Sequence, residues 1–219
     1  MSLLVTLQGR KDGKMPQKII TIDRKARTKE KLVKAVGKIL SHDGFKGLGV
    51  NKVAKAAGVD KVLVYRYFGG LPQLVRAFSQ TVDFWPTVEE LQGPDPGRLQ
   101  KMQPDEQVAE FFKAFIAALR KRPLTLDILA WELLERNELT RQLEDIRIKT
   151  ILFYFEQLEA IPDDDNLTAI VVLMSGAVNH LILRSRISSS VGGIDLESER
   201  GWERINVGID LLLKGIFKR

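Results

Sequence analysis

The stretch from Val50 to Leu74, VNKVAKAAGVDKVLVYRYFGGLPQL, decides how this chain is read. Two short helical pieces, about Val50 to Ala57 and Asp60 to Tyr67, are separated by Gly58 and Val59. Ala54 is small enough to let one helix approach another closely, and Gly58 tolerates the positive φ that a tight turn between crossed helices requires. Val64 and Phe68, one helical turn apart, face inward and hold the second piece in place. A helix-turn-helix presents its second helix to the major groove of duplex DNA, with N-terminal residues on base edges and the preceding helix on the backbone. Lys61, Val62, Leu63 and Tyr65 occupy that end. Lys61 can donate to guanine O6 or N7, whereas Val62 and Leu63 either meet apolar edges such as thymine methyls or pack locally. The bland reading of Lys61 and Tyr65 is an ordinary solvated helix with an amphipathic tyrosine. The turn, the spacing and the basic neighbours favour DNA contact instead.

The periodicity upstream supports the same domain. Leu32, Val33, Val36, Ile39 and Leu40 fall in one arc of a helix that starts at about Asp23, and Arg24, Arg27, Lys31, Lys34 and Lys38 fall in another. Gly44 fits its C-cap and Phe45 a buried anchor after it. Residues 1–21 mix Gly9, Gly13, Pro16 and basic side chains without a period and read as a mobile arm. Downstream, a fourth helix opens near Pro72 and runs to about Phe84, where Pro86 stops it. The cluster Gly93, Pro94, Pro96, Gly97 and Pro104 marks a boundary.

Beyond the boundary every segment has helical period. Val108, Phe111, Phe112, Phe115, Ile116 and Leu119 make one stripe. Helices follow from Pro123 to about Arg136, Leu139 to about Ile161 and Leu167 to Ile187, the last with Asp163 to Asp165 at its positive end. A loop, Ser188 to Gly193, leads to a final helix expected to carry Trp202, Ile205, Ile209, Leu212, Leu213 and Ile216 on one side. The expected fold is all-α, with an arm (1–21), a helix-turn-helix DNA-binding domain (22–84) and a larger helical domain (85–219).

Composition excludes much else. The chain has 219 residues and no cysteine, which removes thiol enzymes, disulfide scaffolds and cysteine zinc sites. The two histidines, His42 and His180, lie in different domains and make no metal site; no cofactor is expected. No nucleophile with a neighbouring base and no phosphate loop is visible, and Glu132 and Glu135 read as a solvated helix face, so the expectation is binding and not catalysis. The apolar run Leu167 to Val178 is short and interrupted for a membrane span, and Leu3 to Leu7 is short for a signal peptide, so no membrane is expected and the cytoplasm is the default. The net charge of +6 divides unevenly. Residues 1–83 carry 17 Lys plus Arg against 6 Asp plus Glu, a net +11, which leaves −5 for the rest. A basic head meeting a polyanion explains that split.

The quoted stretch resembles the TetR family of bacterial transcription regulators, over roughly residues 23–80. The resemblance implies a three-helix DNA-binding head and a larger helical domain that dimerises and holds a small inducer. It also implies that Tyr67 reaches a phosphate and that Asn51 contacts a base or the backbone. Lys46, Lys52 and the basic residues of the first helix are candidates for phosphate attraction, and the arm either adds to it or is merely solvated. Gly49 stands where the family usually has Ser or Thr as a cap, and Leu71 where it usually has Lys.

In the second domain Phe111, Phe115, Trp131, Tyr154, Phe155, Met174 and His180 either line an apolar effector pocket or fill the core; for His180 a core or interface role competes. Met174, Ala177, Leu181, Ile205, Ile209 and Leu212 are the expected homodimer interface, where the small residues Gly176 and Ala177 let a partner helix approach. The alternative is that Leu167 to Ile187 is simply a central helix. The expected function is a repressor that binds a palindromic double-stranded DNA operator as a homodimer and is released by a small, largely apolar effector. The rivals are a regulator controlled by a protein partner or by no ligand, and a general packaging protein without sequence preference.

Overall fold

In a computed structural model, which describes residues 17–81, 84–158 and 165–217, the chain opens on one long helix, α1 (Gln17–Asp43). Leu32, Val36 and Leu40 are fully buried, whereas Arg24, Arg27, Lys31, Lys34 and Lys38 are exposed, so the two arcs read from the sequence are the two faces. The helix begins at Gln17 and not near Asp23, taking Gln17 to Thr21 from the expected arm. No glycine or proline lies between Gln17 and Val36, so the helix extends upstream at little cost per residue. Residues 1–16 lie outside the described residues.

Helices α2 (Val50–Ala57), α3 (Val62–Phe68) and α4 (Leu71–Ser79) complete the head. Val53, Ala54, Val64, Leu74 and Val75 pack with Phe45 on the apolar face of α1. α4 ends at Ser79, short of the expected Phe84. There the Ser79 hydroxyl donates to the Arg76 carbonyl (2.8 Å) and the Thr81 hydroxyl to that of Phe78 (2.7 Å), side-chain bonds that compete with the helical ladder.

The breaker-rich boundary is not open loop. It forms two single-turn helices, α5 (Val88–Gln92) and α6 (Pro96–Gln100), with Gly93 and Pro96 at their ends and Leu91 and Leu99 buried. α7 (Pro104–Arg120) is the axis of the body and buries Val108, Phe111, Phe112, Phe115 and Leu119. α8 (Pro123–Leu134) and α9 (Glu138–Glu156) follow, the latter opened by a reciprocal cap in which Asn137 Oδ1 accepts from Leu139 N and Thr140 Oγ1 accepts from Asn137 N, both at 2.9 Å. Then come α10 (Asp165–Arg184), β1 (Ser190–Val191), β2 (Ile194–Asp195) and α11 (Glu199–Phe217). The short antiparallel hairpin replaces an expected loop, because Gly192 and Gly193 take the left-handed φ values, 57° and 76°, that a two-residue turn needs. Asp163 lies outside the described residues.

α11 lies along α7 through Trp202, Ile205, Ile209 and Leu213. The Arg120 guanidinium sits 4.9 Å over the Trp202 ring and pairs with Glu199 at 2.6 Å. Leu212 and Ile216 leave this stripe and are exposed, because α11 buries a narrower arc than its apolar residues span.

Head and body meet where the end of α8 grips the exit of α1. The Trp131 indole N–H donates to the Ser41 carbonyl (3.2 Å) and the Lys46 backbone N–H donates to Glu135 (2.9 Å). Gly44 lies between them at φ +67°, and a Cβ there would stand 2.7 Å from the Glu135 carboxylate and 2.9 Å from the Trp131 ring. Only glycine satisfies both the conformation and the space. Glu132 and Glu135 are therefore not a solvated face: Glu135 is 8% exposed, and the Glu132 carboxylate is held by both terminal guanidinium nitrogens of Arg147, one of them at 2.8 Å. Burial pushes the Glu132 carboxyl up from the usual carboxylate range against the pull of Arg147.

Candidate nucleic-acid interface and inner cavity

The turn between α2 and α3 is set by main-chain chemistry. Gly49 enters α2 extended and contributes no side-chain cap. Gly58 is left-handed (φ 66°), its N–H donates to Lys55 O, and the N–H of Val59 donates to Ala54 O at 3.0 Å. Asp60 Oδ1 accepts from Val62 N at 2.8 Å, which starts α3 at Val62, later than the expected Asp60.

Within α3, Val64 is fully buried and Phe68 half-buried, as their spacing predicts. The opposite face carries Lys61, Val62 and Tyr65, with Val62 58% and Tyr65 56% exposed; Leu63 is half-buried at its margin. Asn51, Lys52 and Lys46 are exposed on neighbouring elements. Lys52 lies 2.8 Å from Asp43, and its ammonium holds the Asp43 carboxyl below the usual range. Tyr67 is half-buried with the Lys25 ammonium 5.7 Å from its ring centroid, and Lys29 stands over Phe68 at 5.5 Å. These contacts tie the basic face of α1 to α3. Leu71 is half-buried at the start of α4. Exposed Lys55 and Arg66 belong to the same surface and were not singled out by sequence; their signal, an outward basic residue on α2 or α3, was present.

In the body a pocket of about 200 Å³, open to solvent beside Ile148 (47% exposed), has apolar walls from Trp85, Phe111, Phe115, Ile148 and Ile151 and polar ones from Glu144, Arg147, Ser175 and Asn179. Among the seven residues expected to line a pocket, Phe111 and Phe115 do so. Tyr154 and Phe155 stand behind them, their ring centroids 4.9 and 4.8 Å from that of Phe111. Burial pushes the Tyr154 hydroxyl up to about 12. Trp131 is instead part of the head–body joint, drawn there by its bond to Ser41, Met174 is half-buried, and His180 is exposed on α10. The polar wall was missed because it is assembled from two helices distant in sequence, α9 and α10.

The expected dimer residues also divide. Ala177 and Leu212 are exposed and Met174 and Leu181 half-buried. Ile205 and Ile209 are 8% and 4% exposed and are spent on the protomer's own core, since α11 needs them against α7. In their place Val172 and Leu173 on α10 and Val207 and Leu211 on α11 are uncovered, at 64%, 73%, 55% and 67% exposure. Against expectation, α10 is long and apolar enough to cross a membrane, with mean hydropathy 1.6 over Leu167–Arg184 and only 11% of that stretch buried.

Residues 37–78 match the family model described as bacterial regulatory proteins, tetR family. In fold the chain is similar to a TetR-like transcriptional regulator from Rhodococcus sp. RHA1, at TM-score 0.59 and 17% identity over 94% of this chain and 100% of that one. A TetR family regulator from Marinobacter aquaeolei VT8 gives 0.57 at 16% identity, over 88% and 97% of the two chains. The fatty acid degradation regulator FadR from Bacillus halodurans gives 0.56 at 15%, over 85% and 94%. No curated protein matches the chain in sequence.

Proposed function

We propose that the chain is a member of the TetR family of bacterial transcriptional regulators, whose model matches residues 37–78, and that it is a cytoplasmic homodimeric repressor whose operator binding is released by a small effector. The observation that carries the reading is the outward face of α3. Val64 is fully buried while Lys61, Val62 and Tyr65 stand open to water at the N-terminal end of a helix in recognition geometry. An aliphatic side chain exposed amid basic ones has a use against thymine methyls, and Lys61 beside it can read guanine. Lys46, Asn51, Lys52 and Tyr67 position the head on the backbone.

A second copy covers the apolar faces of α10 and α11 by a two-fold pairing, which places two recognition helices one duplex turn apart on a palindromic site. Small residues Gly176 and Ala177 permit close approach there. The effector occupies the cavity beside Phe111 and Phe115. Arg147 on its wall is bonded to Glu132, and Glu132 lies on the same helix whose Trp131 and Glu135 grip the head. An effector that alters the stance of α8 therefore favours one spacing of the heads over another, through its different affinity for the two arrangements.

Selection of binding sites from random duplexes, followed by affinity measurement at fixed salt, tests the reading. The expected result is a two-fold symmetric sequence bound at least about a thousandfold more tightly than random duplex. Equal affinity for both overturns it, as does partition of the purified chain into lipid vesicles in place of a soluble dimer.

A further inference from the structure

Resting on the DNA-binding reading above, we propose that Glu135, a residue of the body, positions the phosphate-contacting turn of the head. The body then sets how tightly DNA is held, and α3 sets which sequence is preferred.

Glu135 is a carboxylate in a place that local physics disfavours. It caps the C-terminus of α8, where its backbone N–H donates to the Trp131 carbonyl at 2.9 Å. A negative side chain there opposes the helix dipole. Glu135 is also 8% exposed, and among the described residues no cation pairs with it. Burying a charge without a counter-charge is costly, so nothing within α8 calls for a carboxylate at this position. Its one bond lies across the joint, where Oε2 accepts from the Lys46 backbone N–H at 2.9 Å.

That bond holds a turn whose own sequence leaves it loose. Gly44, Gly47 and Gly49 fall within six residues, which gives the segment little backbone preference. Phe45 is buried beneath it and its carbonyl accepts from Leu48 N at 3.1 Å, so the centre of the turn is pinned from inside the head. The backbone of Lys46, whose side chain is exposed, is pinned from the body. The turn runs directly into α2, where Asn51 and Lys52 are exposed and Lys52 is tied back to Asp43 at 2.8 Å. Lys46, Asn51 and Lys52, three residues proposed to touch the DNA backbone, therefore share one short stretch. Glu135 clamps it directly and Trp131 clamps it through Ser41 at the exit of α1.

The base-reading face is fixed by other means. Val64 is fully buried in the head and Asp60 accepts from Val62 N, both contacts within the head itself. Lys61, Val62 and Tyr65 keep their stance when the turn loosens. Phosphate contacts carry affinity and salt dependence, whereas base contacts carry preference, so the two properties answer to different parts of the molecule.

The sign of the effect separates positioning from charge. Loss of an acidic side chain by itself strengthens attraction to a polyanion, but loss of a positioning acceptor weakens it. The test measures the affinity of the full chain for its selected operator and for random duplex over a salt series. Glu135→Leu is expected to weaken both duplexes by the same factor, about tenfold, and to lower the slope of log affinity against log salt as much as Lys46→Ala does. Glu135→Gln keeps a carbonyl acceptor for Lys46 N–H and is expected to bind within about twofold of the wild type. In a Lys46→Ala background, Glu135→Leu removes no further slope. Circular dichroism and sedimentation check fold and dimer. If Glu135→Leu does not fold, Trp131→Phe, which loses the indole bond to Ser41, replaces it with the same expected pattern. Undiminished binding by the folded variant, a changed ratio of operator to random affinity, or Glu135→Gln as weak as Glu135→Leu overturns the proposal. A wild type that prefers no sequence sinks the regulator reading instead, an outcome distinct from a wild type that reads its operator beside a variant that matches it.

Discussion

Head and body differ in how complete they are as protomers. In the head, α1 to α4 close around Leu32, Val36, Leu40, Val64 and Leu74, and what is left outside is mainly basic or polar, apart from Val62 on α3. Among the described residues the buried side-chain polar atoms without a partner belong to Trp85, Gln107, Gln142, Tyr154, Asn179 and Asn206, all in the body. The body also leaves Val172, Leu173 and Leu211 more than half exposed. A finished core with a charged exterior is what a DNA-reading module needs, since its ligand comes to the surface. Unpaired buried polar atoms and an uncovered apolar face set the body apart, and they are where the proposed effector and partner copy would sit.

The contrast breaks most visibly on α10. Leu173→Glu, at a position already open to water, is expected to leave the protomer fold intact by circular dichroism and convert a dimer to monomers in sedimentation. Operator affinity then falls by roughly a hundredfold or more, since both half-sites must be held together. If sedimentation stays dimeric, the covered face lies elsewhere.

On the head, Lys61→Ala and Tyr65→Ala together should erase preference for the selected operator, a loss of about 1–3 kcal/mol for each base-reading contact. Thermal melting moves little, because both side chains are exposed. Undiminished preference would take the recognition role away from α3.

Gly44→Ala probes the joint between the two. A left-handed φ and a Cβ within 3 Å of both Glu135 and Trp131 predict destabilisation of about 1–3 kcal/mol in chemical denaturation. A neutral result would mean that α8 does not grip the head as described.

Smaller effects sharpen the contrast. Lys46→Ala should lower the slope of log affinity against log salt by about one without changing which sequence is preferred. Tyr154→Phe removes a buried hydroxyl that has no partner, so stability is expected to hold within about 1 kcal/mol. For the wild type, spectrophotometric titration should find one tyrosine ionising near 12, because burial favours its neutral form.

The head was nearly all legible in sequence because its signals are local. Gly58 between Ala54 and Asp60 makes a turn wherever it stands, and the two arcs of α1 follow from residue spacing alone. The bond from Val62 N to the Asp60 carboxylate was readable too, since an Asp two positions before a helix is a local signal. The body resisted for the opposite reason. Ile205 and Ile209 share an apolar stripe with Leu212, and periodicity cannot say which side of α11 meets α7. Glu132 and Glu135 look solvated in a helical projection, and only Arg147, fifteen residues from Glu132, and Lys46, in another domain, turn them inward.

By itself, then, the sequence determined the helical class, the helix-turn-helix, the charge division and the absence of cysteine, each a property of composition or of neighbours within two helical turns. Tertiary structure alone decided which apolar residues are spent on the core and which stay open, where Trp131 goes, and that Trp85, Arg147 and Asn179 converge on one cavity. Those are outcomes of helices meeting at a distance, and side-chain burial is a property of the pair of surfaces that meet, not of either one.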